Sequence, residues 1–215
     1  MKILFAFAHP DDEAFGPCCT IRKLVDEGHD VIVASMCNGA RPGAEHVAEA
    51  RGKAFKKSCK MLGVKGIIHN NSDLTLGYGG VVNYAVSLIG DIQPDIVYTN
   101  NISDINADHR MLAEACMVAC RPKPGSSVKE LYFCEIPGST DWTFHQIQPA
   151  FEPNVFVDIS DTIDDKEKMV KLYGTEMYAY PDARSFEATM IRAANHGINI
   201  GVKAAEAFKL VFSVK

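Results

Sequence analysis

Several absences narrow what this chain can be. It contains no Cys-x-x-Cys pair, and its seven cysteines are an odd number, which argues against both a disulfide framework and a cysteine zinc site. Basic residues are not in excess: the formal net charge is −5, which leaves no patch suited to nucleic acid. No apolar run is long enough to cross a bilayer, and Met1 leads into a strand-like segment without a signal-peptide pattern, so a cytoplasmic location is expected. There is a single tryptophan, and no internal repeat, low-complexity segment or convincing linker. Gly-x-Gly-x-x-Gly is also missing after the first apolar run. Acidic residues stand there instead and would repel a pyrophosphate, which weighs against a non-catalytic sugar-nucleotide binder.

What is present fits one α/β domain spanning residues 1–215. At 47% hydrophobic and 23% charged, the chain has room for a buried core. Strands are expected near 2–8, 30–36, 66–69, 95–99 and 129–134, alternating with helices near 17–27, 44–62, 80–91 and 108–119. Gly28 and Gly63 stop the first two helices. Such alternation implies right-handed crossovers and a three-layer, Rossmann-like domain with a mostly parallel sheet, its active site at the carboxyl ends of the strands. The Pro-, Gly-, Ser- and Thr-rich stretch from Arg121 to Pro153 forms loops over that crevice, and two helices near 162–177 and 185–205 close the domain.

The run Lys2 to Ala8 is short and almost wholly apolar, as for a strand buried on both faces. Directly after it come His9, Pro10, Asp11, Asp12 and Glu13. Three carboxylates and an imidazole in five residues repel one another and lose hydration when buried, an arrangement a divalent cation would compensate. His9 and Asp12 can point at one ion while Asp11 projects beside it; spacing alone does not separate the roles of Asp11 and Asp12. A third ligand is expected from another strand end. His109, after the apolar run 95–99 and within Asp104-Ile105-Asn106-Ala107-Asp108-His109, is the best candidate. Two imidazoles and one carboxylate leave a fourth tetrahedral position open, the pattern of a catalytic zinc. The same donors accept Fe2+, Co2+ or Mn2+.

Ala8-His9-Pro10-Asp11-Asp12-Glu13 together with Asp108-His109 resembles the LmbE-like (PIG-L) family of zinc-dependent N-deacetylases, which act on N-acetylglucosamine-type amino sugars. The likeness runs over nearly the whole chain. Arg51 followed by Leu62-Gly63-Val64 is similar to the family's arginine-bearing second helix, and Ala205-Glu206-Ala207-Phe208 to its closing motif. The stretches Glu135 to Trp142 and Pro153 to Asp158 resemble a bacterial branch associated with cell-envelope polysaccharides.

The resemblance implies that His9, Asp12 and His109 hold zinc, that Asp11 is the general base toward water at the metal, and that Arg51 contacts the substrate. It implies a supporting role for Asp108, holding neighbouring groups by hydrogen bonds. Two departures stand out: Asn106 replaces a histidine that helps with the oxyanion or the leaving amine, and Ala54 replaces a glutamate one turn after the arginine. With Asn106 able to donate a hydrogen bond but no proton, Asp11 is expected to carry the proton both ways.

Ser139, Thr140 and Trp142 are candidate sugar contacts, although a tryptophan anchoring a loop is as good an account. His145 and His196 could supply an acid, but a hydrogen-bonded structural histidine is the commoner case; His29, His46 and His69 have no partner motif. Cys18, Cys19, Cys116 and Cys120 read as small core residues, and the charge run 161–171 as a solvated helix face. The expected partner is therefore an acetylated amino sugar or conjugate, and a homo-oligomer is compatible with the sequence. The main alternative keeps the metal but hydrolyses another acylated small molecule.

Overall fold

The computed structural model describes residues 1–40, 46–144 and 147–215. Strand β1 (Lys2–Phe7) is followed by the short helix α1 (Asp12–Phe15) and by α2 (Cys18–Asp26). Then come β2 (Asp30–Cys37), α3 (His46–Leu62), β3 (Lys65–Asn71), α4 (Tyr78–Ile92), β4 (Ile96–Asn100) and α5 (Ala107–Ala119). The remainder holds β5 (Glu130–Cys134), β6 (Val155–Asp158), α6 (Ile163–Val170), a 3₁₀ turn (Lys171–Glu176), α7 (Phe186–Ile200) and β7 (Ala205–Ser213). Residues 44 and 45, the expected start of α3, lie outside the described residues, as does His145.

The strands form one sheet in the order β3-β2-β1-β4-β5-β7-β6. The first five are parallel, and β7 runs antiparallel to both β5 and β6. Alternation along β1 divides the core: Ile3, Phe5 and Phe7 pack with residues of α2, α3, α6 and α7, whereas Leu4, Ala6 and Ala8 pack with α4 and α5. With both faces covered, β1 has no polar side, which explains its unbroken apolar sequence. The chain passes from β1 outward to β2 and β3, then returns to place β4 on the other side of β1. At that reversal the loops diverge and open a crevice at the carboxyl ends.

The expected parallel strands and their helices are all found, with Gly28 and Gly63 at positive φ where the helices stop. Four differences have local causes. The expected 17–27 helix is α2, and a separate short helix, α1, precedes it, set off by Gly16 and Pro17. The 162–177 helix changes to a 3₁₀ turn after Val170, with Tyr173 in a non-helical conformation. The 185–205 helix stops at Ile200, where Gly201 caps it in the left-handed conformation, and the chain re-enters the sheet as β7. Strand β6 was not expected; it is short and half-buried, so it shows little periodicity. Among the described residues no helix is long and apolar enough to cross a membrane.

Candidate active site

Because β1 and β4 are hydrogen-bonded neighbours, the segments after them meet. The Asn100 side chain, at the end of β4, fastens the junction: its Oδ1 accepts from the Ala8 N–H (2.9 Å) and its Nδ2 donates to Asp12 Oδ2 (3.0 Å). Asp12 Oδ2 also accepts from the His9 N–H at 3.1 Å, while Oδ1 is buried without a hydrogen-bond partner among the described residues.

His9 Nδ1 and His109 Nε2 face each other at 3.2 Å, and His109 Nε2 lies 3.4 Å from Asp12 Oδ1. The far nitrogen of each ring meets a carboxylate: His9 Nε2 meets Asp108 Oδ2 at 3.1 Å, and His109 Nδ1 meets Asp104 Oδ2 at 2.8 Å. With those nitrogens donating, the two facing nitrogens present lone pairs to one another, which repel unless a cation lies between them. A tetrahedral ion with bonds of about 2.1 Å holds its ligands about 3.4 Å apart, close to the separations found. His9, Asp12 and His109 therefore fit a divalent metal. A second trio, His9, Cys37 and Asp73, also brings donor atoms together. It draws on the His9 nitrogen that meets Asp108, and burial pushes the Cys37 thiol up, away from the thiolate a metal binds.

The Asp11 backbone sits at φ 142°, a conformation costing of order 1–3 kcal/mol in a non-glycine residue. Its carboxylate is buried, with Oδ2 accepting from Arg51 Nη2 (2.8 Å) and Arg184 Nη2 (2.9 Å). Burial raises its pKa, but the Arg184 and Arg51 guanidiniums outweigh that and hold it at about 2. Asp11 is thus ionised at neutral pH, with Oδ1 buried and without a hydrogen-bond partner among the described residues. Glu13, fully buried, is pushed the other way by burial, up to about 7. Burial likewise raises Asp104. Asp108 is lowered because the His9 bond and the Leu74 N–H overcome the cost of burial.

Arg51 is only 2% exposed. It also meets Glu176 Oε2 (3.1 Å), Asp73 Oδ2 (3.6 Å) and the Gly39 carbonyl (3.3 Å). Gly39 has φ 81°, and a Cβ there would stand 2.6 Å from Arg51 Cδ, so the side chain occupies room that glycine leaves. These carboxylates do the holding that Ala54 cannot. Arg184 stacks over Phe15, its guanidinium carbon 4.5 Å from the ring centre.

All of this borders a cleft of about 370 Å3, which Asn106 and Ser139 also line, within the range of small-molecule sites. Asn106 caps α5, its Oδ1 accepting from the Asp108 N–H at 2.9 Å, which leaves its NH2 as the donor it can offer. Thr140 is placed beneath the cleft: its hydroxyl donates to Asp104 Oδ1 (2.7 Å) and accepts from the Ile136 N–H (2.9 Å). Trp142 is half exposed and does not border the cleft. His196 Nε2 meets Glu135 at 2.7 Å, away from His9, Asp12 and His109. Sequence reasoning missed Asn100, Asp104, Asp73, Glu176 and Arg184. Only Asp104 had a usable signal, five residues before His109 on the same loop.

The family model for PIG-L, GlcNAc-PI de-N-acetylase, matches residues 4–120, more than half of the chain. The chain belongs to the PIG-L family. A diacetylchitobiose deacetylase of Thermococcus kodakarensis is 29% identical over 195 residues, covering 81% of this chain and 70% of that protein. A probable N-acetyl-alpha-D-glucosaminyl L-malate deacetylase of Bacillus cereus is 25% identical over 178 residues, covering 76% and 78%. Among solved structures, N,N′-diacetylchitobiose deacetylase from Pyrococcus horikoshii superposes with a TM-score of 0.79 at 24% identity, covering 98% of this chain and 83% of that one. The fold alone does not fix the reaction: a 4-carboxy-2-hydroxymuconate hydratase from Pseudomonas putida has a TM-score of 0.75 at 18% identity, covering 100% and 97%.

Proposed function

We propose that this PIG-L protein is a metal-dependent N-deacetylase that removes the acetyl group from an N-acetylglucosamine-type amino sugar or its conjugate. The observation carrying this reading is two buried carboxylate oxygens, Asp11 Oδ1 and Asp12 Oδ1, without a hydrogen-bond partner among the described residues, beside two imidazole nitrogens 3.2 Å apart. The family and the deacetylases among its relatives supply the reaction class.

His9, Asp12 and His109 would hold the ion, and their donor set suits zinc. Bound there, a divalent ion lowers the pKa of water and polarises an amide carbonyl. Asp11 carries the proton. Its Oδ2 is fixed by two guanidiniums, so Oδ1 takes the proton from the attacking water as the new C–O bond forms. The same atom delivers it to the amide nitrogen as the C–N bond breaks, giving acetate and a free amine. The guanidiniums make Asp11 a weak base, which favours passing the proton on over keeping it. The Asn106 NH2 is a donor for the oxygen that gains negative charge. Asp108 and Asp104 keep the two rings in one tautomer and orientation. Arg51 and Ser139 are the sugar contacts of the cleft, with Trp142 beyond its rim as a stacking surface.

Acetate release from N-acetylglucosamine or N,N′-diacetylchitobiose by the zinc-loaded chain tests the reaction. Asp11→Asn should lower kcat roughly 10²–10⁴-fold while retaining one metal per chain. Stoichiometric metal with no acetate from any acetylated amino sugar would redirect the reading to another amide or ester, and undiminished turnover in the variant would remove Asp11 from its role.

A further inference from the structure

The Asp11 turn is strained, and Glu13, two residues on, holds it. Glu13 Oε2 accepts from the Asp11 N–H at 3.1 Å. Its other oxygen, Oε1, accepts from Ser58 Oγ at 2.6 Å and Tyr173 Oη at 2.5 Å. Glu13 and Ser58 are 0% exposed and Tyr173 1%, so no water competes for these bonds.

The two tethers come from the elements that also charge Asp11 and its surroundings. Ser58 lies on α3 seven residues after Arg51, two turns along the same face. Tyr173 lies in the 3₁₀ turn three residues before Glu176, whose carboxylate meets both Arg51 and Arg184. One carboxylate thus ties the strained turn to the carrier of Arg51 and to the carrier of Glu176. Losing either tether frees the turn to relax relative to the guanidiniums that hold Asp11 Oδ2.

We infer that Glu13 is a positioning residue: bridged by Ser58 and Tyr173, it fixes the Asp11 backbone in register with Arg51 and Glu176, and so aims Asp11 Oδ1. This rests on the reading of Asp11 as the proton carrier. Among the described residues Glu13 bonds to no side chain of His9, Asp12 or His109 and does not line the cleft, so its bond to the Asp11 N–H is the route by which it acts.

The test compares Glu13→Ala, Glu13→Gln and Tyr173→Phe with Asp11→Asn, all zinc-loaded and assayed on N,N′-diacetylchitobiose. Displacing a reacting group by about 1 Å can cost on the order of a hundredfold. Glu13→Ala and Tyr173→Phe should therefore lose roughly ten- to a hundredfold in kcat, with KM and metal content close to wild type. Glu13→Gln keeps an oxygen for the Asp11 N–H and should recover part of the loss. In the metal-free chain, hydrogen exchange across residues 9–15 should speed up in Glu13→Ala and Tyr173→Phe. If Glu13→Ala does not fold, Tyr173→Phe decides, since it leaves Glu13 and the core volume in place. Wild-type kcat and exchange in folded Tyr173→Phe, or losses confined to metal content, would overturn the inference. Asp11→Asn with undiminished turnover would instead sink the reading it rests on.

Discussion

Two buried clusters of charge among the described residues are wired differently. In one, Glu206 of β7 accepts from the Cys19 and Thr20 N–H groups at the start of α2 (3.2 and 2.7 Å) and from Lys166 Nζ (2.9 Å), which also donates to the Gly16 carbonyl. Both oxygens of Glu206 have partners. Cys18 and Cys19 lie close enough to form a metal-like trio with it, but the neighbouring Cys18 and burial push the Cys19 thiol up, out of thiolate range. In the other cluster, Asp11 and Asp12 each keep one oxygen without a hydrogen-bond partner among the described residues, beside facing imidazoles. A buried carboxylate with every bond made joins elements; one left open next to other open donors is a place for a ligand.

The sharpest way to break the contrast is to remove a donor from the open cluster. Asp12→Asn should lose the metal and at least about a thousandfold in activity, since a metal supplies several kcal/mol of transition-state stabilisation. Zn2+ should raise the Tm of the wild type but not of this variant; an equal shift in both would show that the ion binds elsewhere. At the closed cluster, Lys166→Met should cost about 3–5 kcal/mol of stability by leaving Glu206 without its cation. In urea, the folded fraction of that variant should retain wild-type kcat and the full Zn2+ response. A large loss of kcat would show that the two clusters are coupled. Smaller still is the effect expected behind a ligand: Asp104→Asn should weaken metal affinity or activity by about 10–100-fold, read by zinc titration against a chelator. Unchanged affinity would mean that His109 keeps its orientation without the Asp104 charge.

The same contrast explains what the sequence disclosed. His9 to Glu13 is contiguous, and its chemistry is unusual enough to read without a structure. His109 could be found because it too follows an apolar run. The supports could not. Arg184 reaches Asp11 from 173 residues away, from a loop whose composition is ordinary, and Glu176 sits at the end of a segment that reads as an exposed charged helix. Thr140 illustrates the converse: a hydroxyl expected at the sugar is buried against Asp104, a placement set by tertiary packing. For the fold, β1 and β4 announced themselves by apolar runs, whereas β6 and β7 lie at the antiparallel end, half exposed over much of their length, and lack that signature.

Asp104 and Asp108 grip different imidazoles, His109 and His9, yet stand four residues apart at the entrance to α5. The length of that short stretch is therefore constrained as tightly as its composition. One inserted residue would rotate Asp108 about the helix axis by roughly 100° and unseat both rings together, so natural variation and engineered grafts alike have to treat residues 104–109 as a cassette exchanged whole.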